Sequence, residues 1–391
     1  MASPLSHLRV LDLSRILAGP FCGQILADLG ADVIKVERPE GGDDTRGWGP
    51  PFLPGADGDR GDAGYFLACN RGKRSIRADL ATPEGQALVK ALAARSDIVL
   101  ENYKTGGLAK FGLDYEGLKA VKPDIVYCSI TGFGQDGPRA SQAAYDFMIQ
   151  AMGGLMSVTG EADGFPGAGP QKVGVPVVDL MTGMYAAIAV LAAIARRDET
   201  GQGEYIDIGM LDVAVGSLCN QAQNYFVSGK TPMRAGNRHP NIQPQDVFPC
   251  ADGHVVIVVG NDGQYAKFCE AIGRPELIED ARFLTNGDRV RNLDQLMPEL
   301  IAALSADTMK GWVARLESAG VPCAPINTVP DVLADPQVRH REMLVHLDHP
   351  VSGRLAMLAS PMRFRNAPVA YRRAPPLLGE HDKEILAELG L

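Results

Sequence analysis

Between His7 and His239 the sequence contains no histidine. That gap removes most hydrolase schemes from this part of the chain, because a serine or cysteine nucleophile ordinarily relies on a histidine base. It also removes a histidine-ligated metal, and no carboxylate cluster offers a substitute, so no metal site is expected. Cysteine does not repair the deficit. Cys22, Cys69, Cys128, Cys219, Cys250, Cys269 and Cys323 are scattered, odd in number and free of any Cys-x-x-Cys pair. Free thiols in a reducing compartment follow. Positive charge is short as well, with 38 Lys and Arg against 47 Asp and Glu and a net charge of −9. General nucleic-acid binding is therefore not expected, and an anionic ligand must be held by a local basic cluster. The N-terminal run has no basic segment followed by an apolar one, which leads us to expect a cytoplasmic protein. No internal repeat is visible.

What the chain does have is 391 residues of ordinary globular composition, 46% hydrophobic and 22% charged, enough for one large domain and a smaller one. Short apolar strands alternate with helices: strands at 8–13, 31–37, 97–100, 125–130 and 204–210, and helices from Gly19-Pro20, from Thr82-Pro83, near 115–121 and at 211–226. This rhythm predicts an α/β, doubly wound, mostly parallel sheet covered on both faces. We place the large domain at 1–227 and a linker at 228–244, where Gly, Pro and Asn accumulate. A small α+β domain follows at 245–320, opened by a hairpin around Asp252-Gly253. A Pro-rich return linker covers 321–345, and the segment 346–391 is expected to complete the large domain.

The stretch from Lys172 to Arg197 draws attention to Asp179. It stands at the head of a run, Leu180 to Ala195, that is apolar nearly all round and is therefore expected to be a buried helix. Unpaired amides and the helix dipole at such a head favour an anion, so the carboxylate is expected to stay ionised where water is scarce. Aspartate is also a common helix cap, and that role stands beside the chemical one. A membrane span needs about 20 apolar residues. Pro176, Asp179 and Gly183 interrupt this one, so no membrane partner is expected.

Ligands on doubly wound sheets sit beyond the C-terminal strand ends. The basic residues gathered near such ends are Arg15, Arg38, Arg46, Arg71, Lys73, Arg74, Lys104 and Arg139, and a ligand carrying several phosphates would draw on some of them. Gly132-Phe-Gly-Gln-Asp-Gly137 fits a dinucleotide fingerprint, but Pro138-Arg139 follows where a helix should begin, and we set it aside. A carboxylate nucleophile then remains, needing no base and suited to substrates with a good leaving group such as thioesters.

Several motifs together carry a resemblance: Arg9-Val-Leu-Asp-Leu-Ser14, Leu17-Ala-Gly-Pro20, Leu29-Gly-Ala-Asp-Val-Ile-Lys-Val-Glu-Arg-Pro39, Asn70 to Ser75, Glu101-Asn102-Tyr103, Gly132 to Pro138, Tyr145-Asp146, the Asp179 segment and Pro375-Pro-Leu-Leu-Gly-Glu-His381. In order and across nearly the whole chain, this resembles the family III CoA-transferases, the CaiB/BaiF family. The resemblance implies a CoA-binding large domain built from both chain ends, a small domain on long linkers and an interlocked homodimer. It implies acyl-CoA and a carboxylic acid as substrates, with no permanently bound cofactor. Asp179 matches the family's nucleophile, which forms an aspartyl anhydride and then passes CoA to the acceptor. Leu17, Ala18, Arg38, Gly72, Lys73, Arg74, Ser75, Asn102, Tyr103, Lys104, Arg139 and Tyr145 would surround CoA, with Arg15 beside them. Gly260, Asn261, Asp262, Gly263 and Gln264 align with an active-site loop.

The segment Gly236 to Pro244 is similar to members that use succinyl-CoA and a dicarboxylate such as glutarate, with Arg238 or His239 as candidates for the distal carboxylate. Lys104-Thr105 departs from the Arg-Pro of many members, and Leu17 from the glutamine of formyl-CoA transferases, which argues against formate or oxalate. The 2-methylacyl-CoA racemases of the same superfamily carry His-Asp where this chain has Tyr145-Asp146, so their acid–base pair is incomplete here. A protein that binds acyl-CoA without turnover is the third alternative.

Overall fold

The computed structural model describes residues 3–55, 58–369 and 371–391. Two compact units emerge: one of residues 1–155, 173–219 and 336–391, the other of 156–172 and 220–335. The first holds a six-stranded sheet of β1 (Arg9–Asp12), β2 (Asp32–Glu37), β3 (Lys73–Arg77), β4 (Ile98–Glu101), β5 (Val126–Thr131) and β6 (Glu204–Gly209). Every pairing is parallel, and the order is β3-β2-β1-β4-β5-β6. The order reverses between β1 and β4, so the chain after these two strands leaves a crevice, which is where an open α/β sheet takes its ligand.

One sheet face is covered by α1 (Ala18–Asp28) and α4 (Val177–Thr200), whose Cys22, Leu26, Ala186 and Val190 meet Val10, Val33 and Leu100. The other carries α2 (Pro83–Ala93), which starts on the Thr82 hydroxyl and sets Val89 and Leu92 against Leu11 and Ile34. The C-terminal segment closes that side: His381 N–H donates to the Ser75 carbonyl and Ile385 enters the same core. An edge strand is thereby covered. Gly183 lets α4 lie close on α1, since a Cβ there would come within 2.7 Å of the Ala18 carbonyl oxygen. This approach brings the first turn of α4 beside the first turn of α1.

In the second unit, β7 (Gln245–Cys250), β8 (Gly253–Val258) and β9 (Cys323–Pro325) form an antiparallel sheet with β8 in the middle. Phe248, Val255 and Ile257 pack under helices that supply Phe268, Leu300 and Trp312.

The observed boundaries differ from the expected ones in particular places. Residues 156–172 and 220–227 group with the second unit, and the stretch expected to be a return linker contributes β9 to its sheet. The helix expected over 211–226 is two, Met210–Gly216 and Cys219–Ser228. Most of the expected loop 260–264 is the first turn of a helix, Asp262–Ala271, capped by the Asn261 side chain accepting from Gln264 N–H. The helix after Asp179 is only partly buried: Met184, Tyr185 and Ile188 remain exposed. By length and composition alone α4 could cross a membrane, with 44% of its most apolar window buried.

Candidate active-site cleft

Three strand ends build the cleft. The loops after β1, β4 and β5 and the head of α4 line a cavity of about 540 Å³ with Arg15, Leu17, Ala18, Asn102, Tyr103, Lys104, Tyr145 and Asp179 in its wall. A volume of this order suits a cofactor-sized ligand. Eight of the expected contact residues thus converge on one cavity at the switch point of the sheet.

The β1–α1 loop forms one wall, and buried charges hold it from beneath. Lys35 donates to the Ser14 carbonyl at 2.8 Å and pairs with Asp43 at 2.9 Å. Lys73 pairs with Asp12 at 2.8 Å and donates to the Pro20 carbonyl at 2.8 Å. Within the loop, Ile16 has φ +73°, a costly conformation for a β-branched residue, and its N–H donates to Asp43 Oδ1. From above, Asn102 clamps the same loop. Its Oδ1 accepts from Arg15 N–H at 2.8 Å, and its Nδ2 donates to the Arg15 carbonyl at 2.6 Å.

Asp179 occupies the third position of α4 and is 9% exposed. It is not the cap. Asp146, at the start of α3 (Asp146–Met152), accepts from the Val178 and Asp179 amides at 2.8 and 3.2 Å through Oδ2, while Gln150 donates to its Oδ1. The expectation of a fully ionised Asp179 is therefore corrected. Among the described residues no hydrogen bond to its carboxylate is present, and burial, then the Asp146 charge, push its pKa up to about 7. The amides that were to stabilise it are already taken by Asp146. A buried carboxyl near half ionisation can exchange a proton or attack an electrophile, and nothing fixed to it must first be removed.

Other expected residues lie elsewhere. Gly72 to Ser75 run into β3 from its N-terminal end. There Lys73 is fully buried on Asp12, and Arg74 is taken up by Asp32, Glu384 and Glu388. The residues beyond the C-terminal end of that strand, Ala78 to Ala81, line a neighbouring cavity of about 150 Å³ with Arg38 and Tyr103. Arg139 is exposed and donates to Gln142, which does line the main cavity. Gly260 to Gln264, Arg238 and His239 belong to the second unit. Arg238 faces Asp246 at 3.5 Å, and His239 Nδ1 accepts from the Asn241 and Ile242 amides.

Sequence reasoning missed Asp44 and Trp48 in the cavity wall, and missed Asp146 as the helix cap. It also passed over Tyr65, whose hydroxyl is raised to about 12, first by burial and then by the Asp179 charge, and whose ring meets Trp48 edge-on at 5.4 Å. The Asp146 signal was available: an acid at the first position of a short helix, directly after Tyr145.

Residues 5–382 match CoA-transferase family III. The chain is 48% identical to the succinate–glutarate CoA-transferase of Agrobacterium fabrum over 99% of its length and 96% of that protein's. It is 41% identical to the succinyl-CoA:glutarate CoA-transferase of Mus musculus, over 99% of this chain and 86% of that one. Among solved structures, a CAIB/BAIF family protein from Brucella suis superposes with a TM-score of 0.88 at 50% identity, with both chains covered fully. This chain belongs to CoA-transferase family III.

Proposed function

We propose that this enzyme exchanges CoA between succinyl-CoA and a short dicarboxylate such as glutarate, with Asp179 as the covalent nucleophile. The observation that carries the reading is a buried Asp179 carboxyl, with no hydrogen-bonding partner among the described residues, in the wall of a cavity of cofactor size at the crevice of the sheet. The names of the A. fabrum and mouse relatives supply the acid pair.

In the proposed sequence, a carboxylate oxygen of Asp179 attacks the succinyl carbonyl carbon and the C–S bond breaks, leaving a mixed anhydride and CoA thiolate. The thiolate attacks the aspartyl carbonyl of the anhydride, releases succinate and leaves an aspartyl-CoA thioester. Glutarate attacks that thioester and regenerates an anhydride and the thiolate. The thiolate then takes the glutaryl carbon, freeing glutaryl-CoA and the Asp179 carboxylate. One thioester replaces another, so no external energy source enters. A carboxyl titrating near 7 suits this cycle, because it must serve in turn as nucleophile and as leaving group. The Leu17-Ala18 turn and Tyr145 would flank the thioester, and the nucleotide end would run past Tyr103 toward Arg38 and Ala78 to Ala81.

The homodimer belongs to this proposal. Exposed Phe147, Met148 and Met152 on α3 and Met184, Tyr185 and Ile188 on α4 are more apolar surface than a monomer usually leaves to water. A cytoplasmic setting also belongs to it, supported by seven free cysteines.

Incubation with succinyl-CoA and hydroxylamine, followed by peptide mass spectrometry, tests the covalent step. A hydroxamate on Asp179 is expected. An unmodified Asp179 under turnover conditions would overturn the mechanism while leaving the fold assignment intact.

A further inference from the structure

Asp44 lines the cleft at the start of the short turn Asp44–Gly47, which the Asp43 side chain holds by accepting from Thr45 N–H. Its two carboxylate oxygens go to two different arginines: Oδ2 to Arg15 Nη1 at 2.9 Å and Oδ1 to Arg38 Nη2 at 2.7 Å. Among the described residues neither arginine has another carboxylate within ion-pair distance. The Arg15 guanidinium also faces the Tyr103 ring at 5.5 Å, and its Nε is buried without an acceptor. Two guanidiniums, one in the wall of the main cavity and one in that of its neighbour, both partly exposed and spanned by one anion, form a site in which that anion is supplied by the chain itself.

We propose that Asp44 is an internal competitor for one phosphate group of CoA: it caps the Arg15–Arg38 pair in the empty cleft, and the phosphate displaces it. The inference rests on the CoA reading above and adds to it a device for selectivity. An uncapped arginine pair would be a good trap for a small dicarboxylate, the very class of the proposed acceptors. With Asp44 in place, a free carboxylate can only exchange for a tethered one of the same chemistry, which has the advantage of its high local concentration. The 3′-phosphate brings three terminal oxygens and the diphosphate four, either enough to bridge both guanidiniums, and the rest of the CoA molecule adds contacts that a small acid lacks. Arg15 Nε then also gains an acceptor.

The sign of one substitution decides. Calorimetric titrations of CoA, dephospho-CoA, pantetheine and glutarate into the full chain are compared between wild type and Asp44→Asn, an isosteric change whose folding is verified by its melting curve. Asp44→Asn is expected to bind CoA about tenfold more tightly, the order expected for removing one charge beside a partly exposed anion. Glutarate is expected to compete with CoA measurably only in the variant, and pantetheine, which lacks phosphate, to bind both proteins alike. Equal gains for CoA and dephospho-CoA place the displaced contact on the diphosphate; a gain confined to CoA places it on the 3′-phosphate. Unchanged or weaker CoA binding by Asp44→Asn, with glutarate still excluded, would overturn the proposal and leave Asp44 as a mere support for the arginines. Failure of the wild-type protein to bind CoA at all would instead strike at the CoA reading itself.

Discussion

Two sets of buried carboxylates border the same cleft, and they are treated in opposite ways. Beneath the β1–α1 loop, Asp43 is nearly inaccessible, and burial alone would raise its pKa. The Lys35 ammonium and the Thr45 donors outweigh that burial and leave it at about 2. In the cleft wall, Asp179 is buried with no cation among its causes of shift, and burial with the Asp146 charge leaves it at about 7. On the mechanism proposed above, the difference separates a carboxylate that supports structure from one held ready to react. The first is neutralised in place by Lys35 and accepts from the Ile16 amide, while Lys35 itself holds the Ser14 carbonyl. The second, in the cavity wall, has neither a cation nor a hydrogen-bonding partner among the described residues.

The largest expected effect tests the second half of that contrast. Asp179→Ala should lower the exchange rate by more than about a hundredfold, a loss of over ~3 kcal/mol in the barrier, with the fold unchanged by circular dichroism. Retention of a tenth of the activity would mean that the carboxylate only lines the cleft.

Breaking the first half should show up in stability. Lys35→Met removes the cation paired with Asp43 and leaves that carboxylate buried without one, while Asp12 keeps Lys73, at a cost of roughly 3–5 kcal/mol. Denaturant unfolding would read it. The sign with pH follows from the depressed pKa of Asp43: its contribution is present above the usual carboxylate range and is lost as pH falls through about 2.

Asp179 has the opposite linkage. Its folded pKa is raised, so keeping it costs stability increasingly as pH rises from near 4 to about 7. Asp179→Asn should therefore stabilise the protein by on the order of 4 kcal/mol at pH 8 and by almost nothing at pH 3. Equal melting shifts at both pH values would show that the site carries no such strain.

Much of this was legible in the chain, for identifiable reasons. The alternation of short apolar runs with helices dictated the parallel sheet, and its strand ends located the cleft, because local pattern and burial agree there. Arg15, Leu17, Ala18, Asn102 to Lys104, Tyr145 and Asp179 do share one cavity. Asn70 to Arg77 shows a limit of such reading, because a run of basic residues looks like a solvated or ligand-facing surface, whereas Arg71, Lys73 and Arg74 are held in ion pairs. The acids that bury it, Asp12, Asp28 and Asp32, lie on other elements, and a one-dimensional reading cannot pair them. The same limitation concealed the capping of α4. A helix head advertises a site for an anion but not which anion fills it, and here Asp146 arrives from 33 residues away along the chain.

That substitution of one acid for another at the head of α4 gives the subtlest prediction. If Asp146 acts on Asp179 through charge, Asp146→Asn keeps an oxygen for the Val178 and Asp179 amides but removes the like charge, so Asp179 ionises at lower pH. Because the attack proposed for Asp179 needs the ionised form, the acidic limb of the exchange rate should move downward, and the ratio of the rate at pH 6 to that at pH 8 should rise roughly threefold. Taking the ratio cancels any uniform loss from a slightly displaced helix, which a purely structural role would produce. An unmoved limb with a uniformly lower rate would mean that Asp146 serves α4 only as a cap, and that burial alone sets the Asp179 carboxyl apart from Asp43.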